Sequence, residues 1–405
     1  MKVAVLGGGA AGFFSALSCK AHHPGSDVTI YEKSGKLLSK VKVSGGGRCN
    51  VTNACFSISR LAKNYPRGKK QLKKAFSVFS TADTVEWFES RGVKLKAEPD
   101  NRMFPVTDNS QTIIDCLMNE TQKAGIKIRT NCLIHSIQKT ENGFTLSAEN
   151  EKEIHSDKII VATGGSPKPE GFEWLAKLGH SIQPPVPSLF TFNIPDNALT
   201  ELMGVSVEDA LVKIQGTKLK QSGPLLITHW GMSGPAVLKL SSWGARVLNE
   251  MNYDFKINVT WNGTMQEHEV RELIAKEYDD IKRKKISNVK LLALPSGLWL
   301  YLLTRCDINP ETNWADLSKE KLNRLINALC NDEYHVKGKT TFREEFVTCG
   351  GVSLGDVNFA TMESNVCRGM YFTGEVLDID GVTGGFNFQS AWTTGFIAGK
   401  LSSAI

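Results

Sequence analysis

The sequence has 405 residues, of which 41% are hydrophobic and 22% are charged. These fractions are typical of a globular protein, and they exclude intrinsic disorder and fibrous architecture. A chain of this length is expected to form two or three domains, and its net charge of +6 is a mild excess.

The nine cysteines are scattered, with no CxxC pair and no histidines at metal-binding spacing. This pattern predicts a reducing, cytoplasmic environment and no metal site. The apolar run "LLALPSGLWLYLL" (291–303) is too short to cross a bilayer and contains Pro295. We therefore predict no membrane segment, and the sequence does not indicate an oligomeric state.

The first thirteen residues predict a phosphate-binding turn. "KVAVL" (2–6) has the apolar, β-branched character of a buried strand, and the helical stretch "FFSALSCKA" begins at residue 13. Between them, Gly7, Gly9 and Gly12 form a GxGxxG motif. In this context the glycines permit a tight turn, close approach of the backbone to a pyrophosphate, and close helix packing. The phosphate is expected at the N-terminus of the helix.

A second strand, "DVTIYEK" (27–33), places Glu32 twenty positions after Gly12. An acidic residue here can accept hydrogen bonds from the ribose hydroxyls of an adenosine. The order of strand, glycine motif, helix, strand and acid predicts a dinucleotide site, although it does not distinguish NAD from FAD.

The segment "SGGGRCNVTN" (44–53) follows the second strand. Three glycines can present successive N–H groups, Arg48 is suited to phosphate, and Asn50 and Asn53 can donate and accept hydrogen bonds. We interpret it as a backbone fitted to a ligand rather than a linker. Cys49 is a catalytic candidate because Arg48 could lower the pKa of its thiol; packing against the cofactor is the alternative.

Two later segments resemble the first strand and turn. "DKIIVATGGSP" (157–167) is a strand ending in glycines, and "MYFTGEVLDIDGVTGGFNF" (370–388) contains a strand ending at Gly374 and Glu375, then a glycine loop. A helix is expected to begin near Asn387, with its positive end facing the ligand. A flavin matches this arrangement, because its reduction places negative charge on the ring.

The region between these segments predicts an insert domain at 187–340, β-rich over 187–262 and helical over 264–340. Residues 1–186 and 341–405 are then the two parts of one discontinuous α/β domain. His229 follows a strand-like run and is the second catalytic candidate, with a purely structural histidine as the alternative.

Basic residues cluster in "KNYPRGKKQLKK" (63–74) and "KRKKISNVK" (282–290). Both runs allow a phosphate-binding or nucleic-acid-binding role. We favour solvated surfaces over nucleic-acid binding, because no aromatic residues alternate with the charges.

The glycine motif, "SGGGRCNVTN", "NRMFP" (101–105), "ATGG", "LITHWGMSGPAVLKLS" (226–241) and the block from "TCGGVSLGD" to "GGFNFQSAW" resemble the BaiN/aminoacetone-oxidase-type (YhiN-like) FAD flavoproteins over the whole chain. The resemblance implies a Rossmann-like, discontinuous, glutathione-reductase-like FAD-binding domain. It implies cofactor contacts from these residues: Gly7, Gly9, Ala10, Ala11, Gly12, Glu32, Gly47, Arg48, Cys49, Asn50, Ile134, Thr163, Gly164, Gly374, Glu375, Gly384, Gly385, Phe386 and Asn387.

Two positions depart from the family pattern. The segment "SPKPEGFEWLAKLGH" (166–180) is shorter than the polar segment that usually follows "ATGG", and Asn101 stands where glycine is more common. Asparagine tolerates left-handed backbone angles, so we expect the turn at 101 to be retained.

These observations together predict an FAD-dependent oxidoreductase that exchanges a hydride between a small-molecule substrate and flavin N5. The other redox partner is O2 or NAD(P)H. Because the sequence has no second GxGxxG motif, we expect NAD(P)H to bind only transiently. The resembled family includes amine oxidation and reduction of activated C=C bonds. A flavin-dependent RNA-modifying protein and a non-catalytic flavin-binding module remain as alternatives.

Overall fold

The computed structural model describes residues 1–148, 153–289, 292–340 and 347–402. The chain forms two compact units: a terminal unit, Met1–Ser188 with Phe342–Ile405, and an insert unit, Leu189–Thr341. The chain thus enters the insert unit two residues after the sequence-based boundary. The predicted return boundary at 341 falls on residues 341–346, which lie outside the described residues.

The first part of the terminal unit alternates short strands and helices. Its strands are β1 (Lys2–Leu6), β2 (Asp27–Tyr31), β3 (Thr52–Asn53), β4 (Leu95–Ala97), β5 (Arg102–Pro105), β6 (Lys127–Arg129), β7 (Ile134–Thr140), β8 (Gly143–Ala148), β9 (Ile154–Ser156), β10 (Lys158–Val161) and β11 (Ile182–Ser188). Its helices are α1 (Ala10–His22), α2 (Ser39–Gly47), α3 (Ile58–Ala62), α4 (Lys69–Ala75), α5 (Thr81–Glu89), α6 (Ser110–Lys123) and α7 (Glu173–Lys177).

The described residues of the insert unit form seven strands and four α-helices. Its strands are β12 (Thr191–Asn193), β13 (Ser206–Ile214), β14 (Lys220–Thr228), β15 (Gly231–Ser233), β16 (Asp254–Thr260), β17 (Asp332–Lys337) and β18 (Lys339–Thr340). Its helices are α8 (Pro235–Glu250), α9 (Glu267–Ile281), α10 (Ser296–Arg305) and α11 (Lys319–Cys330). The chain then returns to the terminal unit with β19 (Val347–Val352), β20 (Val357–Asn358), β21 (Glu363–Ser364), β22 (Met370–Phe372) and α12 (Phe386–Gly399).

The main sheet of the terminal unit has the strand order β20-β21-β22-β10-β1-β2-β6. The strands from β22 to β6 pair in parallel, whereas β20 and β21 are antiparallel. Read from β6, the parallel part has the 3-2-1-4-5 order of a Rossmann fold, with β22 as the fifth strand. The order reverses between β1 and β10, so a ligand crevice is expected at their carboxyl ends. The predicted α/β Rossmann-like fold is confirmed.

Helix α12 packs on α1 through glycines. A Cβ atom added at Gly395 would lie 3.1 Å from the carbonyl oxygen of Ala11, and one at Gly399 would lie 2.4 Å from that of Ser15. These two glycines therefore allow the backbones of the two helices to approach closely.

Smaller sheets flank the main one in the terminal unit. Strands β7, β8 and β9 form an antiparallel meander, β4 and β3 both pair with β5, and β11 pairs with β19. The β11–β19 pair joins the segment before the insert to the segment after it. This pairing closes the discontinuous unit.

The insert unit is an antiparallel sheet, ordered β17-β16-β13-β14-β15-β12-β18, with its helices supplying much of an apolar core. The core includes Trp299 and Leu325, which are 1% and 0% exposed. The region 187–262 contains helix α8 as well as strands, and the region 264–340 contains strands β17 and β18 as well as helices. No helix among the described residues is long and apolar enough to cross a membrane.

Candidate functional site

The glycine turn after β1 leaves space where a phosphate would bind. Gly7 has φ +115°, and a Cβ atom at Gly12 would lie 1.9 Å from the carbonyl oxygen of Gly7. A Cβ atom at Gly9, in contrast, would meet nothing within 4 Å. Gly7 and Gly12 are therefore required by the protein's own packing, whereas Gly9 keeps the surface beside the turn open. This arrangement fits a dinucleotide pyrophosphate.

Helix α1 begins at Ala10 directly behind this open surface. Its N-cap, Gly9, has no side-chain capping bond. The first N–H groups of an α-helix have no partner within the helix, so the amides of Ala10 and Ala11 are available to an anion. The predicted phosphate contacts thus rest on backbone donors rather than on charged side chains.

Glu32 lies at the end of β2 and fixes the glycine turn. One oxygen of its carboxylate accepts a hydrogen bond of 2.8 Å from the Gly8 amide. The other accepts from the amide and the hydroxyl of Ser34, both at 2.9 Å. The carboxylate is held in one orientation at the position from which a ribose could be bound.

A cavity of about 420 Å³ opens beside Glu32. Four residues that the resemblance assigned to the cofactor line it together: Gly7, Glu32, Ile134 and Thr163. Tyr31 and Trp174 also line it, and the sequence analysis missed both. The volume is within the range of small-molecule sites. These walls could hold the adenosine part of a dinucleotide.

The "SGGGRCNVTN" segment folds onto the glycine loop before α12. Its chain turns through four residues with positive φ, which are Gly45, Gly46, Gly47 and Cys49. The side-chain amide of Asn53 donates to the Gly384 carbonyl at 3.0 Å. With the Asn50 amide oriented to satisfy its neighbours, its oxygen accepts from the Gly385 amide at 2.9 Å. The segment therefore has a defined backbone conformation that packs against the Gly384–Gly385 loop, and it is not a flexible linker.

Gly385 is the N-cap of α12, which also has no side-chain capping bond. The positive end of this helix of 14 residues is therefore available to a negatively charged group. Asn387 does not point its amide at such a group, because that amide accepts from the Gly381 amide at 2.8 Å and donates to the Gly381 carbonyl at 3.0 Å. The Phe386 carbonyl accepts from the Tyr65 hydroxyl at 2.7 Å.

A buried ion pair anchors the same loop. The guanidinium of Arg67 binds both carboxylate oxygens of Asp380, which is 0% exposed. Ser188 donates to the same carboxylate at 2.6 Å. Burial raises the pKa of Asp380, and the neighbouring Arg67 opposes this shift. The sequence analysis missed this pair, because its partners are 313 positions apart.

Gly374 and Glu375 connect the end of β22 to the other segments. A Cβ atom at Gly374 would lie 2.8 Å from that of Ala11, so this glycine packs against the start of α1. Glu375 accepts from the Thr348 amide at 2.8 Å and pairs with Lys40 at 2.8 Å. Gly164 has φ +74°, and a Cβ atom there would meet nothing within 4 Å.

Arg48 is engaged by the protein itself. Its guanidinium lies 4.0 Å from the ring centre of Phe104, and it pairs with Glu98 at 2.6 Å and with Asp108 at 3.6 Å. We expected a charge directed at phosphate. Two carboxylates instead neutralise the guanidinium, and they come from a part of the chain at least 50 positions away.

Neither catalytic candidate gains support from its surroundings. Cys49 is 0% exposed, and burial raises the pKa of its thiol to about 12, so the expectation of a lowered pKa is wrong. His229 belongs to the insert unit and is exposed in the turn between β14 and β15, with its ring edge against Trp230. Its role as a catalytic residue stays a prediction.

Three curated relatives cover nearly the whole chain. A "3-dehydro-bile acid delta(4,6)-reductase" from Clostridium scindens is 26% identical over 99% of both chains. A "Ribosomal RNA dihydrouridine synthase" from Escherichia coli is 29% identical over 96% of this chain and 95% of its own. One of the same name from Haemophilus influenzae is 28% identical over 97% and 96%.

Solved structures share the fold at low sequence identity. The 3-ketosteroid delta1-dehydrogenase from Sterolibacterium denitrificans, in complex with 1,4-androstadiene-3,17-dione, matches 98% of each chain with a TM-score of 0.51 and 12% identity. A quinol-fumarate reductase with menaquinol molecules covers 98% of this chain and 70% of its own, also with a TM-score of 0.51 and 12% identity.

The sequence model of the family described as "HI0933-like protein Rossmann domain" matches residues 1–401. This match agrees with the Rossmann strand order, the glycine turn after β1 and the open surface at Gly9. FAD is the cofactor, and the protein is an FAD-dependent oxidoreductase. The chain belongs to the HI0933-like Rossmann-domain family, and the resemblance to BaiN/YhiN-like flavoproteins is confirmed.

Proposed function

We propose that the protein reduces a C=C bond conjugated to a carbonyl group, using electrons from NADH or NADPH. Two kinds of relative support this reaction, and each aligns with this chain over at least 95% of the relative's own length. The names "reductase" and "dihydrouridine synthase" both describe hydrogen addition to an unsaturated ring, and both rings carry a carbonyl. A single type of hydride transfer therefore accounts for both.

The observation that carries the proposal is the presence of two glycine turns in one unit, each directly before a helix. The open backbone at Gly9 suits a pyrophosphate, and the Gly384–Gly385 loop is held by Asn50 and Asn53 at the start of α12. When bound, FAD supplies a hydride at N5. The positive end of α12 would stabilise negative charge on the reduced ring, which favours its reduction.

The residues of the chain bind and orient rather than form covalent bonds. Backbone amides of Ala10 and Ala11 would bind the pyrophosphate, and Glu32 would bind the ribose. Burial of Cys49, with its raised thiol pKa, supports a packing role beside the cofactor. The nicotinamide donor would bind transiently, because only one GxGxxG motif is present in the sequence.

A uracil base in RNA is the second candidate substrate class, beside a free cyclic enone. A specific observation favours it: four lysines of α4 are exposed on one helix, which are Lys69, Lys70, Lys73 and Lys74. Two relatives at 28% and 29% identity bear the name of an RNA-modifying enzyme. The chemistry at the flavin would be the same for both classes.

The test is anaerobic reduction of the flavin followed by reoxidation. NADH or NADPH should bleach the flavin absorbance, and a steroid 4,6-dien-3-one or an unmodified ribosomal RNA transcript should restore it. Mass spectrometry should then show a substrate heavier by two hydrogen atoms. If both substrates leave the reduced flavin unchanged while O2 and an amine panel turn over, the protein is an oxidase. If dithionite alone bleaches the flavin, it is a binding module.

A further inference from the structure

The positive charge of the chain is concentrated in one segment. Residues 33–82 contain twelve lysines and arginines and no aspartate or glutamate. Removing these twelve from the 48 basic residues leaves 36 against 42 acidic ones. The remainder of the chain therefore carries a net charge of −6, although the whole chain carries +6. This asymmetry indicates a surface built for an anionic partner.

Three of these twelve charges are used inside the terminal unit. Lys40 pairs with Glu375, Arg48 with Glu98, and Arg67 with Asp380. These pairs hold the segment to the remainder of the unit, so the three side chains contribute to its structure rather than to an open charged surface.

Six of the other basic side chains are exposed, and they lie on α3, on α4 and at the residue directly after α3. We call it the α3–α4 basic face, and it consists of Arg60, Lys63, Lys69, Lys70, Lys73 and Lys74. None of the six side chains forms an ion pair with a carboxylate within the described residues. Leu72 and Ala75 bury the opposite side of α4 at 0% exposure. The helix thus presents lysines outward on a fixed support.

The second basic run of the sequence differs in this respect. Lys282 pairs with Asp279 at 2.8 Å, and Lys285 pairs with Glu311. Its charges are partly neutralised by carboxylates of the insert unit. The two runs look alike in sequence, but Lys282 and Lys285 of the second run are paired with carboxylates, whereas the side chains of the α3–α4 basic face form no ion pair in the part of the chain that the structure describes.

The α3–α4 basic face is joined to the loop before α12. The Val382 amide donates to the Asn64 carbonyl at 2.9 Å, and the Tyr65 hydroxyl donates to the Phe386 carbonyl at 2.7 Å. The connecting segment 64–68 between α3 and α4 therefore lies directly against residues 379–386. A polymer bound on this face would be positioned relative to the proposed flavin loop.

An exposed aromatic residue belongs to the same acid-free segment. Phe56, two positions before α3, is 58% exposed. Aromatic rings next to basic residues stack on unpaired bases and contribute roughly 1–3 kcal/mol per base. The sequence analysis noted the lack of aromatic residues alternating with the lysines, and it overlooked this ring because it precedes the basic run.

We propose that the α3–α4 basic face binds the phosphate backbone of a structured RNA and so presents a base of that RNA to the flavin site. This inference rests on the proposed function and specifies its substrate class. RNA is favoured over a membrane surface because the apolar side of α4 is buried in the protein. A membrane-binding helix instead inserts its apolar side into the lipid.

The test compares two variants with the same loss of charge. The first is Lys69→Gln/Lys70→Gln/Lys73→Gln/Lys74→Gln, and the matched control is Lys282→Gln/Arg283→Gln/Lys284→Gln/Lys285→Gln. Fluorescence anisotropy measures binding of each holoprotein to an unmodified ribosomal RNA transcript over a range of salt concentrations. Vesicles containing phosphatidylglycerol are the second probe.

The α4 variant should bind the transcript at least about tenfold more weakly than the wild type, and its log–log salt slope should be smaller by about three. The control should bind like the wild type, and both should retain flavin and NAD(P)H-dependent bleaching. Equal binding by all three proteins, or equal loss in both variants, would overturn the inference. So would loss of vesicle binding without loss of RNA binding. If NADH and NADPH fail to bleach the flavin of the wild-type protein, the proposed function is contradicted instead.

Discussion

The carbonyl oxygen of Gly7 lies 1.9 Å from the position that a Cβ atom at Gly12 would occupy. Helix α1 therefore contacts the turn that precedes it at a distance that excludes any side chain. Gly9, between these two residues, has no such constraint from the protein. Within this one motif, Gly7 and Gly12 are therefore required for packing, whereas Gly9 leaves space for the ligand.

Gly12→Ala should destabilise the protein, because the new methyl group would overlap with the Gly7 carbonyl. Overpacking of this kind costs roughly 1–3 kcal/mol or more. Gly25→Ala is the matched control, since a Cβ atom at Gly25 would meet nothing within 4 Å. The free energy of unfolding in urea should fall for the first variant and stay near the wild-type value for the second. Equal stabilities would disprove the close packing.

Removing one partner of the Arg67–Asp380 pair should leave a buried, unpaired charge. Asp380→Asn is expected to cost about 3–5 kcal/mol of unfolding free energy and to weaken flavin binding by loosening the loop before α12. The double variant Arg67→Met/Asp380→Leu should lose less, because it buries no charge. Urea unfolding of both variants measures the difference. A double variant less stable than Asp380→Asn would show that the pair itself stabilises the loop.

Cys49 should resist alkylation in the folded protein. Burial raises the pKa of its thiol to about 12, so almost no thiolate is present near pH 8, and the side chain is 0% exposed. Iodoacetamide followed by peptide mass spectrometry should leave Cys49 unmodified, whereas the half-buried Cys55 should react first. Rapid modification of Cys49 in flavin-bound protein would restore it as a redox candidate.

Burial lowers the pKa of His180 below its ordinary value of 6.5. Folding therefore favours the neutral imidazole, whose Nε2 contacts the Ser364 hydroxyl at 2.8 Å. This contribution to stability is present above pH 6.5 and is lost as the pH falls through the lowered pKa. His180→Gln should flatten the decline in unfolding free energy below pH 6.5, whereas His155→Gln, at an exposed position, should leave it unchanged. Identical profiles would contradict a neutral His180.

The predictable parts of the structure are those specified by neighbours in sequence. The turn after β1 depends on glycines at fixed spacing, and α12 begins at Phe386, one residue before the expected start. The sequence analysis missed helix α8. Its start signal is Pro235, which occupies the first position of the helix. Strand β17 was missed because the helical pattern of α11 runs directly into it.

The unpredictable parts join residues that are far apart in the chain. Arg48 stacks on Phe104 and pairs with Glu98, and Asn53 binds the Gly384 carbonyl across 331 positions. A single sequence can identify Arg48 as a charge and Asn53 as a hydrogen-bonding side chain. It cannot identify their partners, because tertiary packing selects among many carboxylates and carbonyls.

Gly9→Val tests the central claim most directly, because a Cβ atom at this position would meet no protein atom within 4 Å, whereas the valine side chain would overlap with a bound pyrophosphate. The purified variant should have the wild-type unfolding midpoint of the apoprotein but lack the visible absorbance of flavin, even after incubation with excess FAD. A variant that stays yellow and binds FAD with wild-type affinity would contradict the assignment of the dinucleotide to this turn.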